Sequence, residues 1–150
     1  MTEKVMRGAR ELGLDVQVQR LEASTRTVGD AAKAVGCQEA AIAKSIVFVA
    51  DGDPVVCIAS GRHRIDLDKL ADALDVAAVR QATADEVRAA TGFAIGGVPP
   101  FGHGLPVIFD RALLDHEQVW AAAGDPHSLF RVSPQKLLDC TDANVADVGE

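Results

Sequence analysis

Two apolar runs, SIVFVA at 45–50 and PVVCIAS at 54–60, are joined by Asp51-Gly52-Asp53. Strand-forming residues on both sides of an Asp-Gly pair are a strong hairpin signal, so a β-sheet has to stand at the centre of this chain. Residues 2–13 place Val5, Met6, Ala9 and Leu12 at helical spacing, with Gly13 as a stop. Thr27 can cap a helix over VGDAAKAVG, and Asp66 can cap LDKLADAL, with Leu67, Leu70, Ala71 and Leu74 on one face. Thr83 and Glu86 have the spacing of a capping box at the start of TADEVRAATG. DVQVQRL (15–21), VAAVRQA (76–82), PVIFD (106–110) and SLFRVSP (128–134) read as strands. VWAAAG (119–124) suits strand or helix equally; Pro134 starts a last helix over PQKLLDC, and ANVADV is a candidate closing strand. With no repeat, low-complexity stretch or linker, the pattern predicts one α+β (mixed α/β) domain spanning residues 1–150.

Composition narrows the function classes. Hydrophobic residues make up 48% of the chain and charged residues 25%, the balance of a globular protein. No apolar run approaches the roughly 20 residues of a membrane helix. MTEKVMRGAR carries charges throughout, with no apolar segment of a secretory signal behind it. A cytoplasmic protein without a membrane partner is therefore expected. The net charge of −7 offers no global attraction for nucleic acid, so DNA is not an expected partner and any RNA contact needs a local basic patch. Cys37, Cys57 and Cys140 form no CxxC pair, and His63, His103, His116 and His127 show no metal spacing, so no metal or other cofactor is expected. GxSxG, the P-loop and a strand-borne GxGxxG are all missing. Tyrosine is absent and aromatics are 4%, which disfavours a base-stacking platform.

Three segments carry possible chemistry. Lys44 stands in AAIAKSIVFVA at the entry to the apolar strand. It is either a surface lysine lying along apolar residues or a fixed charge for a phosphate or carboxylate. Arg62-His63-Arg64 is the densest basic cluster of an acidic chain, and reads either as a solvated strand end or as a sequence-blind phosphate contact. GGVPPFGHGLPVIFD at 96–110 combines bare glycines, Gly96 and Gly97, with Pro99 and Pro100, which fix φ and remove two N–H groups. It is either a turn or a loop that aims its remaining amides at a carbonyl oxygen.

Together, IAKSIVFVA, SGRHRIDLDKLADAL, TGFAIGGVPPFGH and LPVIFDRALLDHEQVWAAAG resemble the YbaK family, the editing domains related to the insertion domain of bacterial prolyl-tRNA synthetase. The resemblance runs from about residue 20 to about residue 140. It implies a mixed, largely antiparallel sheet surrounded by short helices. The implied activity is that of a free-standing aminoacyl-tRNA deacylase, which removes a small wrong amino acid (alanine, cysteine, serine or 2-aminobutyrate) from tRNA, foremost tRNA(Pro). The alternative is a non-catalytic module of the same fold that binds tRNA or a synthetase. The implied partners are misacylated tRNA, met at its terminal adenosine and aminoacyl group, and prolyl-tRNA synthetase. Lys44 matches the family lysine that holds the terminal phosphate, and Gly96, Gly97 and Pro100 match the GxxxP loop around the aminoacyl group. Val98, Phe101 and His103 of that loop, Arg62 and Arg64, Asp110 and Gly124 complete the expected substrate contacts. Pro99 departs from the family, which often has a serine there, and the preferred amino acid stays open.

Overall fold

The computed structural model describes residues 2–14, 16–21, 27–125 and 127–150. In chain order its elements are α1 (Thr2–Glu11), β1 (Val18–Arg20), α2 (Val28–Val35), β2 (Ile42–Ala50), β3 (Asp53–Ser60), α3 (Leu67–Leu74) and β4 (Val79–Gln81). They continue with α4 (Ala84–Thr91), β5 (Val107–Asp110), β6 (Val119–Ala122), β7 (Ser128–Val132), α5 (Pro134–Thr141) and β8 (Asn144–Ala146). Short 3-10 turns at Glu39–Ala41 and Arg111–Asp115 precede β2 and follow β5; neither carries a clear signal in the sequence. The ambiguous 119–124 segment resolves into β6, and the strand expected over 15–21 shortens to β1, with Asp15 outside the described residues.

β2 and β3 form the expected hairpin, in register from Ala43↔Ser60 to Ala50↔Asp53. The turn is only two residues long. Asp51 (φ 48°) and Gly52 (φ 91°) both take the positive φ that a tight hairpin turn needs. Asp51 also ties down the approach to β4, because its carboxylate accepts the amides of Ala77 and Ala78 at 3.2 and 2.9 Å. The described strands form one sheet in the order β1-β7-β6-β2-β3-β5-β8, with β4 paired to β2 beside this path. The β2–β6, β3–β5 and β5–β8 pairs are parallel; the other four are antiparallel. The sheet is mixed and largely antiparallel.

The largely apolar character of β2 and β3 follows from cover on both faces. Ala43, Val47, Val56 and Ile58 enter a core with Val5 and Ala9 of α1, Val87 of α4, Phe109, Phe130 and Leu137. Phe48, Ala50, Cys57 and Ala59 face the opposite way, onto Leu70 of α3 and Val148. Burial pushes the Cys57 thiol up to about 12, with the Asp110 carboxylate adding to the shift, so this cysteine is an inert packing residue. The capping predictions hold: Thr27 accepts the amide of Asp30, Asp66 those of Asp68 and Lys69, and Thr83 and Glu86 form their reciprocal box. Two helical faces are narrower than their spacing suggested, since Leu12 and Leu67 remain 42% and 43% exposed.

Asp110 departs from its expected role. It is 1% exposed at the end of β5, where its carboxylate accepts the amides of Ser60 (3.0 Å) and Ala112 (3.0 Å) and meets His63 Nδ1 at 2.9 Å. It joins β3, β5 and the following 3-10 turn rather than a ligand. Asp110→Ala would strand buried donors at about 1–3 kcal/mol each. A loss of about 3 kcal/mol should lower Tm by roughly 6–12 °C in a domain of this size. His63→Ala should cost less, since that side chain is 23% exposed; thermal melting of both variants checks the order.

Candidate active site

The site arises from the way one edge of β2 is shared. β3 occupies the other edge along nearly its whole length, which leaves β6 and β4 on the same side. β6 takes Ile42 and Ala43 in parallel; β4 takes Phe48–Ala50 antiparallel, and the amide of Ala82 reaches the Val47 carbonyl at 3.0 Å. Among the described residues, no strand lies beside Lys44, Ser45 and Ile46 on that edge. The sheet forks there, and main-chain polar groups in the fork need a partner from outside the sheet.

The loop after α4 roofs the fork. The Gly97 amide donates to the Ala94 carbonyl at 3.0 Å, and Gly96, third in this turn, has φ 85°, the type II geometry that favours glycine. Gly96 and Val98 are thereby brought to Lys44 and Ser45, and these four residues line both of two adjoining cavities. One, of about 30 Å³, is closed by Ala31, Ile42 and Leu129; the other, of about 40 Å³, by Ala82, Val87 and Ile95. Each has room for only a few waters and is walled mainly by aliphatic side chains.

What the slot offers is polar at a few points. Lys44 is half-buried, and its ammonium has no ion-pair or hydrogen-bond partner among the described residues. The amides of Gly96 and Val98 likewise donate to no acceptor there. A free cation and two free amides around an apolar slot suit an anionic group and a carbonyl oxygen. Ser45 was not singled out in the sequence. Its hydroxyl is buried without a partner among the described residues, and the one signal for it was a polar residue interrupting an apolar strand. No group of three or more His, Cys, Asp or Glu among the described residues could hold a metal, and no described helix is long and apolar enough to cross a membrane.

The other expected residues do not converge on the slot. Phe101 is a core aromatic, 4% exposed, with its ring 5.6 Å from that of Phe130 and against Gly8. His103 staples the loop: its Nδ1 accepts the Leu105 amide at 3.1 Å, which leaves Nε2–H to donate to the Pro100 carbonyl at 3.2 Å. Burial holds the His103 pKa below the ordinary imidazole value, in keeping with this neutral tautomer. Pro100 is buried and serves as that staple's acceptor. Gly97 faces away from the cavities, since a β-carbon on it would lie 3.1–3.3 Å from the backbone of Asp125. Gly124, with φ 102°, belongs to the β6–β7 turn against which Gly97 packs. Arg62 and Arg64 point into solvent on either side of the inward-turned His63, just beyond Ser60, which pairs with Ala43.

Residues 22–140 match the model of the aminoacyl-tRNA editing domain family. The uncharacterized protein YwhH of Bacillus subtilis is 35% identical over 131 residues, covering 85% of this chain and 83% of YwhH. A proline–tRNA ligase of Solidesulfovibrio magneticus is 37% identical over 106 residues, which is 69% of this chain and 18% of the ligase. A crystal structure provisionally described as a trans-editing enzyme for prolyl tRNA synthetase superposes with a TM-score of 0.92 at 45% identity, over 99% of this chain and 96% of that one.

The Gly97 geometry sets an outcome. Gly97→Ala forces backbone of the β6–β7 turn to give way, an overpacking cost of about 1–2 kcal/mol, or roughly 2–8 °C in Tm. Any catalytic rates should change by a common factor, because the added methyl does not enter the slot. Melting curves run beside kinetics on ligands of two sizes check both statements.

Proposed function

Because the chain belongs to the aminoacyl-tRNA editing domain family, we propose that it hydrolyses the ester joining a small mischarged amino acid to tRNA(Pro), in trans to prolyl-tRNA synthetase. The observation that carries this reading is that Lys44, with an unpaired ammonium, and Gly96 and Val98, with unpaired amides, line one slot of small volume. Lys44 takes the phosphate of the terminal adenosine as a point charge. The aminoacyl group enters the slot, and the two amides receive the carbonyl oxygen as it gains negative charge. Water adds to the carbonyl carbon, the bond to the ribose oxygen breaks, and a proton passes to that oxygen as it leaves. The products are the free amino acid and intact tRNA.

An aminoacyl ester is already activated, so a placed water and a stabilised oxyanion suffice. The neighbouring ribose hydroxyl of the substrate is in position to relay the proton. Selection then follows from size, as in the second site of a double sieve. Alanine, serine, cysteine and 2-aminobutyrate are the candidates small enough, whereas the rigid ring of proline is excluded by shape. Arg62 and Arg64, exposed just past the end of β3, supply the local basic patch that an acidic protein needs to meet RNA.

Incubation with Ala-, Ser-, Cys- and Pro-tRNA(Pro) tests the reading directly. Loss of a mischarged ester with Pro-tRNA(Pro) left intact is expected; binding without loss of any ester would mark a non-catalytic module instead. Lys44→Ala should lower kcat/KM by roughly ten- to a hundredfold, from a charge-assisted contact of about 1.5–3 kcal/mol, with Tm little changed. Full activity in that variant removes Lys44 from the site. Replacing Arg62 and Arg64 together by alanine should raise KM and flatten its dependence on salt. An unchanged slope returns both to the ordinary surface.

A further inference from the structure

We propose that Ser45 is a specificity-determining residue whose hydroxyl receives a polar aminoacyl side chain, so that the slot prefers a seryl over an alanyl ester. The inference rests on the deacylase reading and adds to it the chemistry of the preferred substrate. Its ground is the Ser45 Oγ itself, a buried side-chain oxygen with no hydrogen-bond partner among the described residues. An unpaired hydroxyl in an apolar interior is costly, and at a residue that lines a cavity it invites a partner from the occupant.

The position identifies that partner. Ser45 shares one face of β2 with Ala43 and Val47, whose side chains enter the main core with Val87 and Val98. Ser45 is also one of the residues lining the cavity of about 40 Å³ closed by Ala82 and Val87. Aliphatic walls and small volume suit the side chain of the aminoacyl group there, and not its charged α-amino group, which needs water or several acceptors. A seryl side chain adds a single oxygen to an alanyl one, so the two esters differ little in fit. They differ in whether the Ser45 hydroxyl is paired. A hydroxyl both donates and accepts, which allows two serine side chains to satisfy each other; a thiol does so more weakly. A site built around such a bond discriminates against the analogue that lacks it.

The test measures kcat/KM of wild type, Ser45→Ala and Ser45→Cys on Ser-tRNA(Pro) and Ala-tRNA(Pro), with Tm for each protein. Wild type is expected to favour the seryl ester. Ser45→Ala should lower the seryl-to-alanyl ratio by roughly three- to tenfold, and Ser45→Cys by less. Tm of Ser45→Ala should be equal or higher, because an unpaired buried hydroxyl is removed. An unchanged ratio, or equal loss on both esters, overturns the inference, the latter by assigning the hydroxyl to a group shared by all aminoacyl esters. A lower Tm overturns it too, since the hydroxyl would then have a partner within the fold. A wild type that cleaves neither ester is a separate result, which removes the deacylase reading and this inference with it.

Discussion

Two strands competing for one edge of β2 is the constraint on which the rest depends. β3 saturates the other edge, and β6 and β4 approach the free one from its two ends, one parallel and one antiparallel. Strands of opposite direction cannot merge into one ladder, so the three residues between them stay open. Everything polar in the candidate site is gathered by that fork. Lys44 and Ser45 belong to the open stretch, and Gly96 and Val98 are held against it by the turn that closes the loop after α4. A complete ladder would have spent the same main-chain groups on secondary structure.

Two carboxylates, one buried and one partly exposed, hold the fork from outside it. Asp110 gathers the end of β3, the end of β5 and His63. Asp125 organises the β6–β7 turn by accepting the His127 amide at 2.8 Å and the Ser128 hydroxyl at 3.0 Å, and the same turn presents backbone to Gly97. The glycine-rich loop is therefore seated by a neighbouring turn, and His103 stiffens it from within. Asp110, Gly97 and His103 were expected near the substrate because a motif does not distinguish groups that touch a ligand from groups that seat the loop beside it.

Much of the fold was legible because its signals are local. The Asp-Gly turn, the caps at Thr27, Asp66 and Thr83, and the apolar strands each follow from neighbouring residues. Which strand lies beside which depends on contacts far apart in sequence, so the parallel pairing of β6 with β2 and the fork it creates could not be read. Lys44 and Gly96 were legible as chemistry, one as a cation beside an apolar strand and the other as a glycine before two prolines. The direction faced by Gly97, the burial of Phe101 and the solitary hydroxyl of Ser45 required three-dimensional placement. Each is set by packing between segments that no pattern along the chain connects.

A slot whose proposed oxyanion donors are main-chain amides divides its work unusually cleanly. Substituting a side chain does not remove an amide, so Ala31, Ala82, Val87 and Leu129 can change the shape of the two cavities while the donors stay in place. Lineages descended from such a scaffold could drift from one small residue to another by single exchanges in the wall, without rebuilding the chemistry. The fork makes the domain a ready template for diversification, with the main-chain donors shielded from mutation and the selective side chains exposed to it.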